Sequence, residues 1–111
     1  MHAHATGNTL HLPSGKSVRF DAPLLTVVEL GGVIVVVLAQ PEGRDMPENV
    51  YAVDDSGRVI WRISTRDFPE GPDYYVGASA AGSAVRLIHF SGFVLDVDPS
   101  TGRVLAQRFV K

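Results

Sequence analysis

The chain has 111 residues, 45% of them hydrophobic and 20% charged, which is the size and usage of one folded domain and excludes a disordered chain. Its formal net charge of −2 offers no general attraction to nucleic acid or to an anionic membrane. There is no cysteine, so disulfides, thiol nucleophiles and cysteine-held zinc are excluded, and a cytoplasmic setting is expected.

The N-terminus, Met1-His-Ala-His-Ala-Thr-Gly-Asn8, has neither a basic nor an apolar signal-peptide region. Residues 1–7 are expected to be disordered, with 1–111 forming a single all-β domain. His2, His4 and His11 could hold a metal loosely, but a solvated tail is the simpler reading, and no metal or cofactor is expected. The first hairpin covers Asn8 to Phe20. Its turn ends at Gly15, which collects Leu10, Leu12, Val18 and Phe20 on one face and leaves Thr9, His11, Ser17 and Arg19 on the other.

Leu24 to Leu30 and Val33 to Ala39 form a second hairpin around Gly31-Gly32. The seven residues from Val33 to Ala39 are the longest apolar run, far short of the ~20 needed for a membrane helix. Their β-branched character predicts a strand covered on both faces. If that strand instead lay at an edge, a homodimer through the edge would be expected.

A third hairpin, Asn49 to Ile63, turns at Asp55-Ser56-Gly57. A three-residue loop there places Val53 opposite Val59 and Tyr51 opposite Trp61, so that Tyr51, Val53, Val59, Trp61 and Ile63 share a face. Tyr74 to Ser79 and Ala84 to Phe90 make a fourth hairpin through residues 80–83. A Ser91-Gly92 turn then sets Phe90 against Phe93 and Ile88 against Leu95. The last hairpin, Phe93 to Phe109, turns at Gly102. The expected core is Leu10, Val18, Phe20, Val35, Val37, Tyr51, Val53, Val59, Trp61, Ile88, Phe93, Leu95 and Val97.

The chain thus reads as antiparallel hairpin repeats: two strands, then two four-strand units at about 24–64 and 74–111. About two and a half such units would form a compact sandwich or an open barrel. The segments Ala52-Val-Asp-Asp-Ser-Gly-Arg-Val-Ile-Trp61 and Asp98-Pro-Ser-Thr-Gly-Arg-Val-Leu-Ala106 resemble the blade repeat of quinoprotein-like β-propellers. They depart from it at Ala106, where tryptophan is expected, and at Asp55-Ser56, where the loop is one residue shorter. Complete propellers need about four to eight blades, so the resemblance implies no ring-borne quinone site. From Leu24 onward the chain also looks like a group of small uncharacterised bacterial all-β proteins, which implies a stand-alone protein and no activity.

Three chemical readings compete. Asp96-Val-Asp98-Pro-Ser100-Thr-Gly102 mimics a calcium loop, but its glycine falls one place late and Gln107 stands where a bidentate glutamate belongs. An Asx turn is the simpler reading. His89 and Asp96 are expected as diagonal neighbours able to do acid–base work, a weak enzyme candidate. A pocket lined by Phe68, Tyr74 and Tyr75 would suit a small ligand or carbohydrate. The leading expectation is a non-catalytic protein–protein interaction module or inhibitor-type accessory protein. Two long polar loops carry the same Arg-Asp-apolar-Pro-Glu pattern: Arg44, Asp45, Met46 and Glu48 in one, Arg66, Asp67, Phe68 and Glu70 in the other. Loops of this kind are where β domains recognise partners.

Overall fold

The computed structural model describes residues 2–40, 47–64 and 74–110, and every regular element among them is a β-strand. Strands β1 (His4–Thr6), β2 (Thr9–His11) and β3 (Ser17–Arg19) form a first sheet. Strands β4 (Leu24–Leu30), β5 (Val33–Leu38), β6 (Val50–Val53) and β7 (Val59–Arg62) form a second. A third holds β8 (Tyr75–Ala81), β9 (Ala84–His89), β10 (Phe93–Val97) and β11 (Val104–Phe109). Each sheet is an antiparallel meander in which neighbours in sequence are neighbours in space. The expectation of disorder over residues 1–7 fails because β1 pairs with β2, His4 opposite His11 and Ala5 opposite Leu10.

The sheets stack as layers, with the second between the other two. Every residue of β5 is buried. Ile34, Val36 and Leu38 pack towards the first sheet with Leu10, Leu12 and Phe20. Val33, Val35 and Val37 pack towards the third with Tyr75, Val85, Leu87, Leu95 and Val97. The unalternating apolar run is therefore an interior strand covered on both faces, as its composition predicts. No edge is left on it, and the argument for an edge-paired homodimer falls away.

The three glycine-ended turns are built alike. In each, the residue entering the turn (Leu12, Asp54 or Asp98) accepts a hydrogen bond from the glycine amide. Its own amide donates to the carbonyl of the residue after the glycine, Lys16, Arg58 or Arg103. Gly15, Gly57 and Gly102 have φ of 94°, 90° and 76°, which a residue with a Cβ adopts only with strain.

Beyond the turns the register departs from strict alternation. In the second sheet Val53 does pair with Val59, but Ala52 pairs with Trp61 and Tyr51 with Arg62. Ile60 is the extra residue of a β-bulge, and Leu105 is its counterpart in the third sheet. Trp61 is thereby turned to the face of Ala52, away from Tyr51 and Val53, and packs half-buried towards the third sheet. Val59 is 46% exposed, because the three-stranded first sheet has no fourth strand to lie over β7. Ile88 is 40% exposed. The turn after β9 is one residue longer than expected, so Leu87, not Ile88, faces Leu95.

Candidate functional site

Meander topology decides which loops meet. β5 and β7 run opposite to β4 and β6, so segments 39–49 and 63–74 leave the middle sheet at the same end. The turn from β9 to β10 lies at this end too, and the glycine-ended turns lie at the other. Arg44, Asp45, Met46, Arg66, Asp67, Phe68 and Glu70 fall outside the described residues, whereas Glu48 falls within them.

Asn49 ties the roots of the two loops together. It is fully buried. Its Nδ2 donates to the carbonyls of Leu38 and Tyr75, each at 2.8 Å, and its Oδ1 accepts from the Tyr75 amide at 2.8 Å. One side chain thus satisfies three backbone groups, from the end of β5 and the start of β8. Sequence reasoning passed over Asn49, because a lone asparagine before a strand reads as an ordinary loop residue. Beside it, Glu48 has φ of 56°, a backbone conformation uncommon outside glycine, asparagine and aspartate. Its carbonyl accepts from Arg62 Nε at 2.9 Å. The same guanidinium lies over the Tyr51 ring, 4.7 Å from its centre. Arg62 therefore braces the first loop against the sheet by a hydrogen bond and a cation–π contact.

His89 closes the inner side of this end. It is 1% exposed, with the Tyr75 ring edge-on at 5.0 Å. The Ser91 amide donates to His89 Nδ1 at 3.1 Å and the Ser91 hydroxyl lies 2.8 Å from the same nitrogen. A nitrogen that accepts an amide proton carries none of its own, so the ring proton sits on Nε2. Asp96 is elsewhere. The register places it on the opposite face of the sheet, opposite Arg86, which it binds through both carboxylate oxygens at 2.9 and 3.2 Å. Arg108 adds a longer contact of 3.9 Å. The Arg86 hydrogen bonds hold the Asp96 carboxyl below its ordinary value, against the opposing effect of burial. The expected His89–Asp96 pair is not formed, because the longer turn after β9 shifts the pairing by one residue.

The other candidates resolve by position. Tyr75 points into the core and Tyr74 lies against Phe90, the two rings tilted with centres 4.9 Å apart, so they do not line one pocket, and Phe68 lies outside the described residues. A small depression bounded by Pro13, Glu29, Gly32, Ile34 and Asp55 opens at the turn end, away from the loops. The Asp98 carboxylate accepts from the Ser100 amide at 2.9 Å and its hydroxyl at 2.8 Å, an Asx turn in the place of the calcium-like motif. His4 and His11 are stacked cross-strand neighbours at 4.7 Å, and His2 lies 3.7 Å from Glu29.

The blade-like units dock through the turns. Trp61 Nε1 donates to the Pro99 carbonyl at 2.7 Å, and the indole lies against Gly102, where a Cβ would stand 2.7 Å from the ring. A Cβ on Gly57 would stand 3.3 Å from Val18 of the first sheet and 3.6 Å from Leu12 in the turn after β2.

A family model for a domain of unknown function, DUF7957, matches residues 1–109. The chain belongs to the DUF7957 family. A search of curated proteins returned no match. Among solved structures, the DUF7957 chain is similar to BamB from Moraxella catarrhalis, a quinoprotein-like β-propeller protein, with a TM-score of 0.67 at 16% sequence identity. The match covers 97% of this chain and 32% of that one, so the chain spans about a third of the length of the propeller it resembles. The likeness is one of fold: an all-β chain of antiparallel sheets with a propeller-type neighbour.

Proposed function

We propose that this DUF7957 domain is a non-catalytic protein-interaction module that binds its partner through the loop-bearing end. The observation that carries the reading is the Asn49 clasp, which holds the roots of both Arg-Asp-apolar-Pro-Glu loops side by side on a rigid sheet. Recognition loops work best from such a scaffold. The acid–base reading has lost its geometry, since Asp96 and His89 lie on opposite faces.

Between them, segments 40–48 and 64–73 carry six carboxylates and two arginines. The partner that fits is a protein whose basic groups meet the loop carboxylates, with an apolar site to receive Met46 or Phe68 and carboxylates of its own opposite Arg44 and Arg66, the central contacts that charge reversal would turn repulsive. The test is the double variant Arg44→Glu/Arg66→Glu. Its melting temperature should stay near that of the parent, the outcome expected where the two arginines serve binding and not the core. Capture of a partner that the parent protein binds should be lost, and the parent's own capture should weaken with added salt. A variant that unfolds makes the loops structural. A folded variant that still captures the same partner puts the site elsewhere.

A further inference from the structure

A solvated tail would leave its histidines unrelated to one another, and the N-terminal segment is not such a tail. Ala3 packs against the core between the first two sheets, and its amide donates to Glu29 Oε1 at 3.0 Å. From there β1 pairs with β2 in a fixed register that sets His4 opposite His11. The two imidazoles stack, with centres 4.7 Å apart and planes inclined by 22°. Leu10, one step back along β2, is buried, so alternation carries His4 and His11 to the outer face of the first sheet. His4 is exposed there and His11 half-buried. Ser17, opposite His11 on β3, brings its hydroxyl to 3.3 Å from His11 Nδ1. With the Nδ1 proton donated to that hydroxyl, Nε2 carries the free lone pair. A metal-binding histidine typically has such a partner on its other ring nitrogen, where it orients the ring.

We infer that His4 and His11 form a two-histidine chelate for a divalent transition-metal ion of the imidazole-seeking class: copper(II), nickel(II) or zinc. Metal–nitrogen bonds of about 2.0–2.1 Å put two nitrogens on one ion roughly 3 Å apart. Two rings already in contact on an outer face reach that spacing by turning about their side-chain bonds. The strand pairing ties the second histidine to the first, so once one nitrogen binds, the other is presented at high effective concentration. Among the described residues no third histidine or carboxylate joins the pair. His2 is engaged instead by Glu29, 3.7 Å from its Nδ1. Water completes the coordination, which makes the site labile and of modest affinity. Calcium and magnesium, which seek oxygen ligands, gain nothing from two imidazoles. Because the ion bridges β1 and β2, its binding fastens the exposed N-terminal strand to the first hairpin.

The test is calorimetric titration of the tag-free chain, in a buffer that does not chelate, with the chlorides of copper(II), nickel(II) and zinc. One ion should bind per chain, copper most tightly, and calcium and magnesium chloride should give no binding. His4→Ala and His11→Ala should each weaken the binding by about tenfold or more, since either change leaves a single imidazole. His2→Ala should leave it unchanged. Amide hydrogen exchange over residues 4–6 should slow when nickel is added to the parent protein and should not respond in the His4→Ala or His11→Ala chain. Both side chains lie on the outer face, so without metal the two variants should melt with the parent. Should one melt early, the other gives the reading. The inference is overturned by a chain that binds none of the three ions at millimolar concentration, by binding that survives both His4→Ala and His11→Ala, or by binding that His2→Ala removes. The last result would place the ion on the N-terminal residues alone. None of these histidines belongs to the two loops, so the outcome is independent of partner capture.

Discussion

Gly102 illustrates how one residue serves both the backbone and a contact between sheets. Its φ of 76° and its contact with the Trp61 ring impose separate demands. Gly102→Ala should cost about 2–4 kcal/mol in denaturant unfolding, because backbone strain and a core-like clash add. Gly15→Ala has the strained φ but open space around the added methyl. It should cost about 1–2 kcal/mol, the backbone effect by itself. Equal losses at the two sites would show that the Trp61 contact carries no weight. Asn49→Leu leaves the Tyr75 amide and two buried carbonyls without their partner, and should cost about 3–4 kcal/mol. A loss under ~1 kcal/mol would mean that water replaces the side chain. Trp61→Ala should fall near or below the lower end of the usual 3–5 kcal/mol range, since the indole is only half-buried.

Among the elements, the hairpin turns rest on charge as well as on glycine. Hydrogen bonds from Ser56 hold the Asp54 carboxyl below its ordinary value of 3.8, and bonds from Ser100 do the same for Asp98. Asp96 is lowered by Arg86. A carboxyl whose folded value is depressed binds fewer protons in the folded state, so its stabilisation is present above the unfolded value. It is lost as pH falls through the folded value. Thermal stability should therefore be level, as far as these three groups are concerned, from neutrality to about pH 5 and decline below about pH 4. Asp54→Asn with Asp98→Asn should flatten that decline. A double variant with an unchanged acid limb would exclude the two turns as its source.

For the whole molecule, the described residues form three sheets in series, with β5 of the second sheet covered on both faces by the other two. The roots of the two loops meet at one end of this stack, at the Asn49 clasp. Capture of the proposed partner there should weaken as salt rises, and capture indifferent to salt would place the contact away from the acidic segments.

Local chemistry by itself determined the strand content, the three glycine-ended turns, the repeat and the interior position of β5. Each follows from residues adjacent in the chain: a turn needs positive φ at one place, and a strand covered on both faces needs an unbroken apolar run. Even the blade resemblance could be read from the turns and Trp61. Tertiary structure decided the rest, because a strand changes face whenever one residue is inserted. The bulges at Ile60 and Leu105, and the longer turn after β9, leave no mark that alternation can register. They turned Trp61 towards the third sheet, exchanged Leu87 for Ile88 in the core, and separated His89 from Asp96. The Asn49 clasp was equally hidden, since its partners Leu38 and Tyr75 lie 11 and 26 residues away and only the stacking of sheets brings them together.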